Sequence, residues 1–159
     1  MSDELPSAGV LLGVDYGTVR IGFAKCDSLR IVVTPLSTVT ITGKSLRTIA
    51  SLIATTMQET GSVGIIFGWP DCCDSRTETV RAHITKLITY LRKDFSAACV
   101  CVEEDFSSRE ALSLLHEAGK KQKKKRILDQ YAAAVILQRY LDEGNTSRQY
   151  NEIQQNETV

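Results

Sequence analysis

Leu11-Leu12-Gly13-Val14-Asp15-Tyr16-Gly17-Thr18-Val19-Arg20-Ile21-Gly22-Phe23-Ala24 is an apolar run that ends in a carboxylate, breaks at a glycine and resumes as a second apolar run from Ile21 to Ala24. The pattern predicts a strand, a tight turn and a second strand. Such a strand carries Asp15 into the middle of a sheet, where ionisation is costly unless something positive stands opposite. A divalent cation shared between Asp15 and other acids supplies that charge, and this is a common catalytic arrangement on nucleic acids. The plainer reading is a turn aspartate whose carboxylate accepts from the Gly17 and Thr18 amides.

Outward from this hairpin, with strands at residues 10–15 and 20–26, the chain alternates. A third strand is expected at Ile31-Val32-Val33, leading to Thr34-Pro35. Leu46, Ile49, Leu52, Ile53 and Met57 fall near helical spacing within 44–60, and Gly61 is placed to stop that helix. The continuous apolar run 63–68 suits a buried parallel strand, followed by a loop over 69–75. Residues 77–93 read as a helix with Val80, Ile84, Leu87, Ile88 and Leu91 inward, and 98–102 as the next strand. Ser107 or Ser108 can cap a further helix that Gly119 ends, and 127–141 forms an alanine-rich last helix. The order predicts an α/β domain with a mixed five-stranded sheet flanked by helices. It occupies 10–142, with a loose tail at 1–9 and a polar tail at 143–159.

A length of 159 residues suits one domain that buries its core without disulfides or a structural metal. The first eight residues contain Asp3 and Glu4 and no apolar core, so no signal peptide is expected. No segment approaches the length of a membrane span. Five cysteines, Cys26, Cys72, Cys73, Cys99 and Cys101, match no zinc spacing, and free thiols in a reducing cytoplasm are expected. Lys+Arg and Asp+Glu both total 19, so net charge points to no partner, but distribution does. Lys120, Lys121, Lys123, Lys124, Lys125 and Arg126 form one dense basic block. It reads either as a solvated loop or as a phosphate-attracting patch whose binding weakens with salt.

Acids fall at element ends in three places: Asp15, the run Glu103-Glu104-Asp105, and Asp129. Strand ends and helix starts are where an open α/β sheet builds its site. Carboxylates are hard ligands suited to Mg²⁺ or Mn²⁺, and two such ions about 4 Å apart can activate a water and stabilise the leaving oxygen in phosphodiester cleavage. Strand alternation puts Glu103 and Asp105 on one face and Glu104 on the other, so at most one set points inward. Asp129 has a plainer reading as a helix N-terminal acid favoured by the macrodipole. Arg20 and Lys25 flank the first acid and read as either phosphate contacts or surface charge. His83 and His116 read as ordinary surface residues, and Trp69 as loop packing.

Four segments together resemble the YqgF/RuvX family of Holliday junction resolvases within the RNase H-like superfamily. They are Gly13-Val14-Asp15-Tyr16-Gly17-Thr18-Val19-Arg20-Ile21-Gly22, Phe67-Gly68-Trp69-Pro70, Glu103-Glu104-Asp105-Phe106-Ser107-Ser108-Arg109-Glu110-Ala111 and Lys123-Lys124-Lys125-Arg126-Ile127-Leu128-Asp129-Gln130-Tyr131-Ala132-Ala133-Ala134. The resemblance runs from about Gly9 to Asp142. It implies an RNase H-like fold and three metal-binding, catalytic acids at Asp15, Glu104 and Asp129, holding two Mg²⁺ or Mn²⁺ ions. It also implies a nuclease that matures the 5′ end of the precursor of small-subunit ribosomal RNA, the family having been labelled junction resolvases by fold analogy. Arg20, Lys123, Lys124, Lys125 and Arg126 are the candidates for nucleic-acid binding. Two departures stand out. Asp105 replaces the family's arginine, and Asp71-Cys72-Cys73-Asp74 replaces a loop with a polar amide; both bear on rate and substrate preference.

Three functions compete. The first is a metal-dependent nuclease acting on precursor ribosomal RNA or branched DNA, as a monomer or a homodimer; symmetric junction cutting needs a two-fold dimer and RNA trimming does not. The second is a nucleic-acid-binding module of the same fold that does not cut, motivated by Asp105. The third is a phosphotransferase, because Asp15-x-Gly17-Thr18-x-x-x-Gly22 also resembles the phosphate loop of sugar kinases and actin-like ATPases. Those enzymes place two such domains around a nucleotide, and this chain supplies one.

Overall fold

The computed structural model describes residues 4–71, 74–104 and 127–144. Strands β1 (Leu11–Tyr16), β2 (Arg20–Cys26) and β3 (Val33–Thr40) precede helix α1 (Leu46–Thr60), strand β4 (Gly64–Pro70), helix α2 (Ser75–Phe95) and strand β5 (Cys99–Glu104). The five strands form one sheet in the order β3-β2-β1-β4-β5. β1 runs antiparallel to β2 and parallel to β4, and β4 runs parallel to β5. The expected mixed sheet is therefore present, with β1 at its centre.

Alternation along β1 decides both cores. Leu12, Val14 and Tyr16 face α1 and α2, packing with Ile21, Phe23, Ile53, Phe67, Ile84 and Leu87. Leu11 faces the opposite way, where Ile66 and Val102 meet Ile136, Leu137 and Leu141 of the helical residues 127–144. The sheet is thus covered on both faces, as expected for strands that read as continuous apolar runs. Leu5 packs at the edge of the second core, and Arg30 donates from Nε to the Gly9 carbonyl at 3.0 Å.

The helix ends follow local chemistry. The Ser45 hydroxyl accepts from the Thr48 amide at 3.2 Å to start α1, and Gly61 ends it at φ 66°. α2 starts two residues earlier than its apolar spacing suggests, because Asp74 Oδ1 caps it from the Thr77 amide at 2.7 Å. The third strand also differs from expectation. Ile31 and Val32 lie in the β2–β3 turn, 71% and 57% exposed. Asp27 Oδ1 accepts both of their amides, at 2.7 and 3.0 Å, so their backbone belongs to the turn and β3 begins at Val33. Pro35 is tolerated because β3 is an edge strand. β4 runs on through Trp69 and Pro70, which pair with Glu103 and Glu104, where a loop was expected.

Cys26 and Cys99 are buried, Cys101 is exposed on edge strand β5, and all three are free thiols. No helix among the described residues is long and apolar enough to cross a membrane.

Candidate active site

Asp15 sits at the end of the central strand, on the face covered by residues 127–144, with Gly22 directly across the ladder on β2. Val14 pairs with Phe67 on β4, and continuing that register sets Gly68 at its other side. These two glycines make room for the other two acids. A Cβ on Gly22 would run into the backbone carbonyl of Asp129, and one on Gly68 into the Glu104 carboxylate. The helix therefore crosses β2 close enough to bring Asp129 beside Asp15, and Glu104 folds back over β4 toward the same point. Gly13 serves the same approach: a Cβ there would lie 2.7 Å from the Ala133 carbonyl.

The alternation argument for β5 is met. Glu103 is exposed, while Glu104 is partly buried and hydrogen-bonded to Asp15. Burial raises the Asp15 carboxyl well above the usual carboxylate range, and the charges of Glu104 and Asp129 and the bond to Glu104 raise it further. Burial also raises Glu104, against which its bond to Asp15 acts. The direction is clear for the pair: they hold a proton between them at pH values where free carboxylates are ionised. Oxygen donors crowded until they repel fit a hard divalent cation, which would relieve the repulsion.

Asp129 is differently engaged. Its Oδ2 accepts from Arg20 Nε at 2.7 Å, with the two side chains 22% and 28% exposed. Among the described residues, no three His, Cys, Asp or Glu side chains already stand together as a ligand cluster. The sequence left Arg20 open between phosphate contact and surface charge, and it proves to be the partner of the third acid.

His83 corrects the sequence reading. It is not an ordinary surface residue, because α2 carries it to Tyr16, whose hydroxyl lies 2.8 Å from His83 Nδ1, with the rings edge to face at 5.8 Å. Tyr16 follows Asp15 in the chain, so a histidine 67 positions away steadies the residue next to the central acid. Nothing in linear spacing signals that contact. Gly22 and Gly68 were legible only as motif glycines, not as the clearances that let the acids meet. Trp69 packs against the α1/α2 core, with the Arg81 guanidinium 5.6 Å from its ring centre. Lys120, Lys121, Lys123, Lys124, Lys125, Arg126, Asp105, Ser107, Ser108, His116, Gly119, Cys72 and Cys73 lie outside the described residues.

The sequence model of the family described as "RuvX: Holliday junction resolvase" matches residues 9–143. A protein of Mycolicibacterium paratuberculosis is 34% identical over 145 residues, covering 89% of this chain and 84% of its own. One of Chlorobium luteolum is 36% identical over 142 residues, covering 85% and 95%. Both carry the name "Putative pre-16S rRNA nuclease". Among solved structures, Thermus thermophilus RuvC in complex with a Holliday junction superposes with a TM-score of 0.55 at 9% identity, covering 84% of this chain and 93% of that one. The Fowlpox virus resolvase bound to junction DNA gives 0.50 at 10% identity, covering 84% and 97%. At such identities the likeness concerns the fold, which is RNase H-like.

Proposed function

The chain belongs to the RuvX family, and from that premise we propose that it is a divalent-metal-dependent nuclease that hydrolyses phosphodiester bonds in the precursor of 16S ribosomal RNA, at its 5′ end. The observation that carries this reading is the buried Asp15 on β1, bonded to Glu104 of β5 and near enough to Asp129 of the helical residues 127–144 for both charges to raise its carboxyl, with Gly22 and Gly68 leaving room for the approach. Asp15 and Glu104 would hold the metal, and Asp129, which now accepts from Arg20, would complete the donor set. Bound there, Mg²⁺ or Mn²⁺, two ions on this reading, would supply an activated water and charge stabilisation for the leaving oxygen. The protein's own part is to hold the acids on rigid elements and to keep Asp15 and Glu104 close despite their repulsion. Arg20, with Lys123, Lys124, Lys125 and Arg126, would draw the phosphate backbone to the site.

The test is cleavage of a labelled precursor RNA and a labelled four-way DNA junction, with Mg²⁺, Mn²⁺ or EDTA, by the wild type and by Asp15→Asn and Asp129→Asn. Metal-dependent cutting of the RNA that both variants lose is the expected result. Preference for the junction would reassign the substrate. A second reading, a module that binds nucleic acid without cutting, draws on the Arg20–Asp129 pair, which turns one acid away from the donor set. Salt-sensitive binding with no cutting of either substrate would favour it.

A further inference from the structure

Next to the carboxylates lies a cavity of about 210 Å³, lined by Tyr16, Gly68, Pro70, Arg76, Thr77, Val80 and Glu104. It opens where the ends of β1, β4 and β5 meet the first turn of α2, so one wall belongs to the acid site and the other does not.

Two residues of the far wall lack a structural occupation. Thr77 is only 9% exposed, yet its hydroxyl makes no hydrogen bond among the described residues; only its amide is engaged, by Asp74. No fully enclosed polar atom there is left without a partner, so this hydroxyl meets the cavity. Valine would pack the position as well, so the hydroxyl is not needed for packing and is free to donate to a group that enters the cavity. Arg76 is exposed and makes no ion pair among the described residues. Arg81, one turn on, is the contrast. Its Nε and Nη2 donate to the Pro70 carbonyl at 2.8 and 2.5 Å and its guanidinium lies near Trp69, so it fixes the end of β4. The helix dipole is not the attraction, because the Asp74 carboxylate already caps that end. A negative group entering between Glu104 and α2 needs a cation, and Arg76 is the cation present.

We propose that this cavity is a subsite for one backbone phosphate of the bound strand, a neighbour of the phosphate cut at the carboxylates, held by Arg76 and the Thr77 hydroxyl. The proposal rests on the nuclease reading above and adds a binding contact from the α2 side of the sheet. Tyr16, hydrogen-bonded to His83, and the acid Glu104 line the same cavity.

The experiment measures binding in EDTA, and cleavage with Mn²⁺, of RNA oligonucleotides that each carry one uncharged methylphosphonate at successive positions. The full chain is compared with Arg76→Gln, Thr77→Val and Thr77→Ser, all checked for unchanged melting. In the wild type, one methylphosphonate beside the cut site weakens binding about three- to tenfold; in Arg76→Gln that penalty vanishes and the salt slope falls by about 1. Thr77→Val weakens binding of unmodified RNA and Thr77→Ser restores it. Wild-type binding, salt slope and methylphosphonate pattern in both Arg76→Gln and Thr77→Val would overturn the subsite while leaving the nuclease reading standing. A wild type that neither binds nor cuts would bring down that reading, and the subsite with it.

Discussion

Asp15 is the residue on which chemistry and stability pull against each other. Its carboxyl is raised by burial and by Glu104 and Asp129, so the native state holds a proton that the unfolded chain releases near the ordinary value of 3.8. The sign follows from linkage: where the native state binds more protons, stability falls as pH rises. This group's contribution is complete below the unfolded value and is lost as pH climbs through the raised folded value. Without metal, melting of the wild type should therefore be lowered toward neutral pH relative to Asp15→Asn. That variant should be more stable than the wild type at pH 7, and inactive. Calorimetry across pH checks the first part, and a variant no more stable than wild type at pH 7 contradicts it. Arg20 tests the third acid. Removing a guanidinium 2.7 Å from Asp129 frees a carboxylate for a cation, so Arg20→Gln should bind Mn²⁺ several-fold more tightly by titration calorimetry. Unchanged or weaker binding would show that the pair does not compete with metal.

At the scale of elements, the site depends on how closely a helix and a strand end approach β1. Gly22 faces a backbone carbonyl, which cannot move without the helix, whereas Gly68 faces the flexible ends of Glu104 and Ile136. Gly22→Ala should therefore cost about 1–3 kcal/mol in denaturant unfolding and also impair cleavage. Gly68→Ala should lose activity and Mn²⁺ affinity at a smaller cost in stability. Equal stability losses for the two would mean that the Glu104 side chain cannot shift. The sequence offers both glycines as parts of apolar motifs, but the clash each avoids exists only after distant elements pack.

Over the whole molecule, one sheet is sealed on two faces, and the acids share the face covered by residues 127–144. Leu137 is fully buried there. Leu137→Ala should lower unfolding free energy by about 2–5 kcal/mol and, by loosening the segment that carries Asp129, reduce cleavage more than an equally destabilising change beneath α1, such as Ile53→Ala. Equal activity losses for matched stability losses would separate Asp129 from this packing.

Most of the described strands and helices are legible in the sequence, because apolar periodicity and a stop residue such as Gly61 act over a few positions. The sequence put Glu103 and Glu104 on opposite faces, because alternation along a strand is local, and the structure shows Glu104 to be the inner one. It also marked Asp15, the run Glu103-Glu104-Asp105 and Asp129 by their place at element ends, and the family resemblance singled out Glu104 within that run. Tertiary structure decided the rest: that β3 begins beyond Ile31 and Val32, that Trp69 lies in the sheet, that Arg20 holds Asp129, and that His83 meets Tyr16. Each of these depends on partners far apart in the chain, whose approach is set by the summed packing of both cores and leaves no periodic trace in the residues themselves.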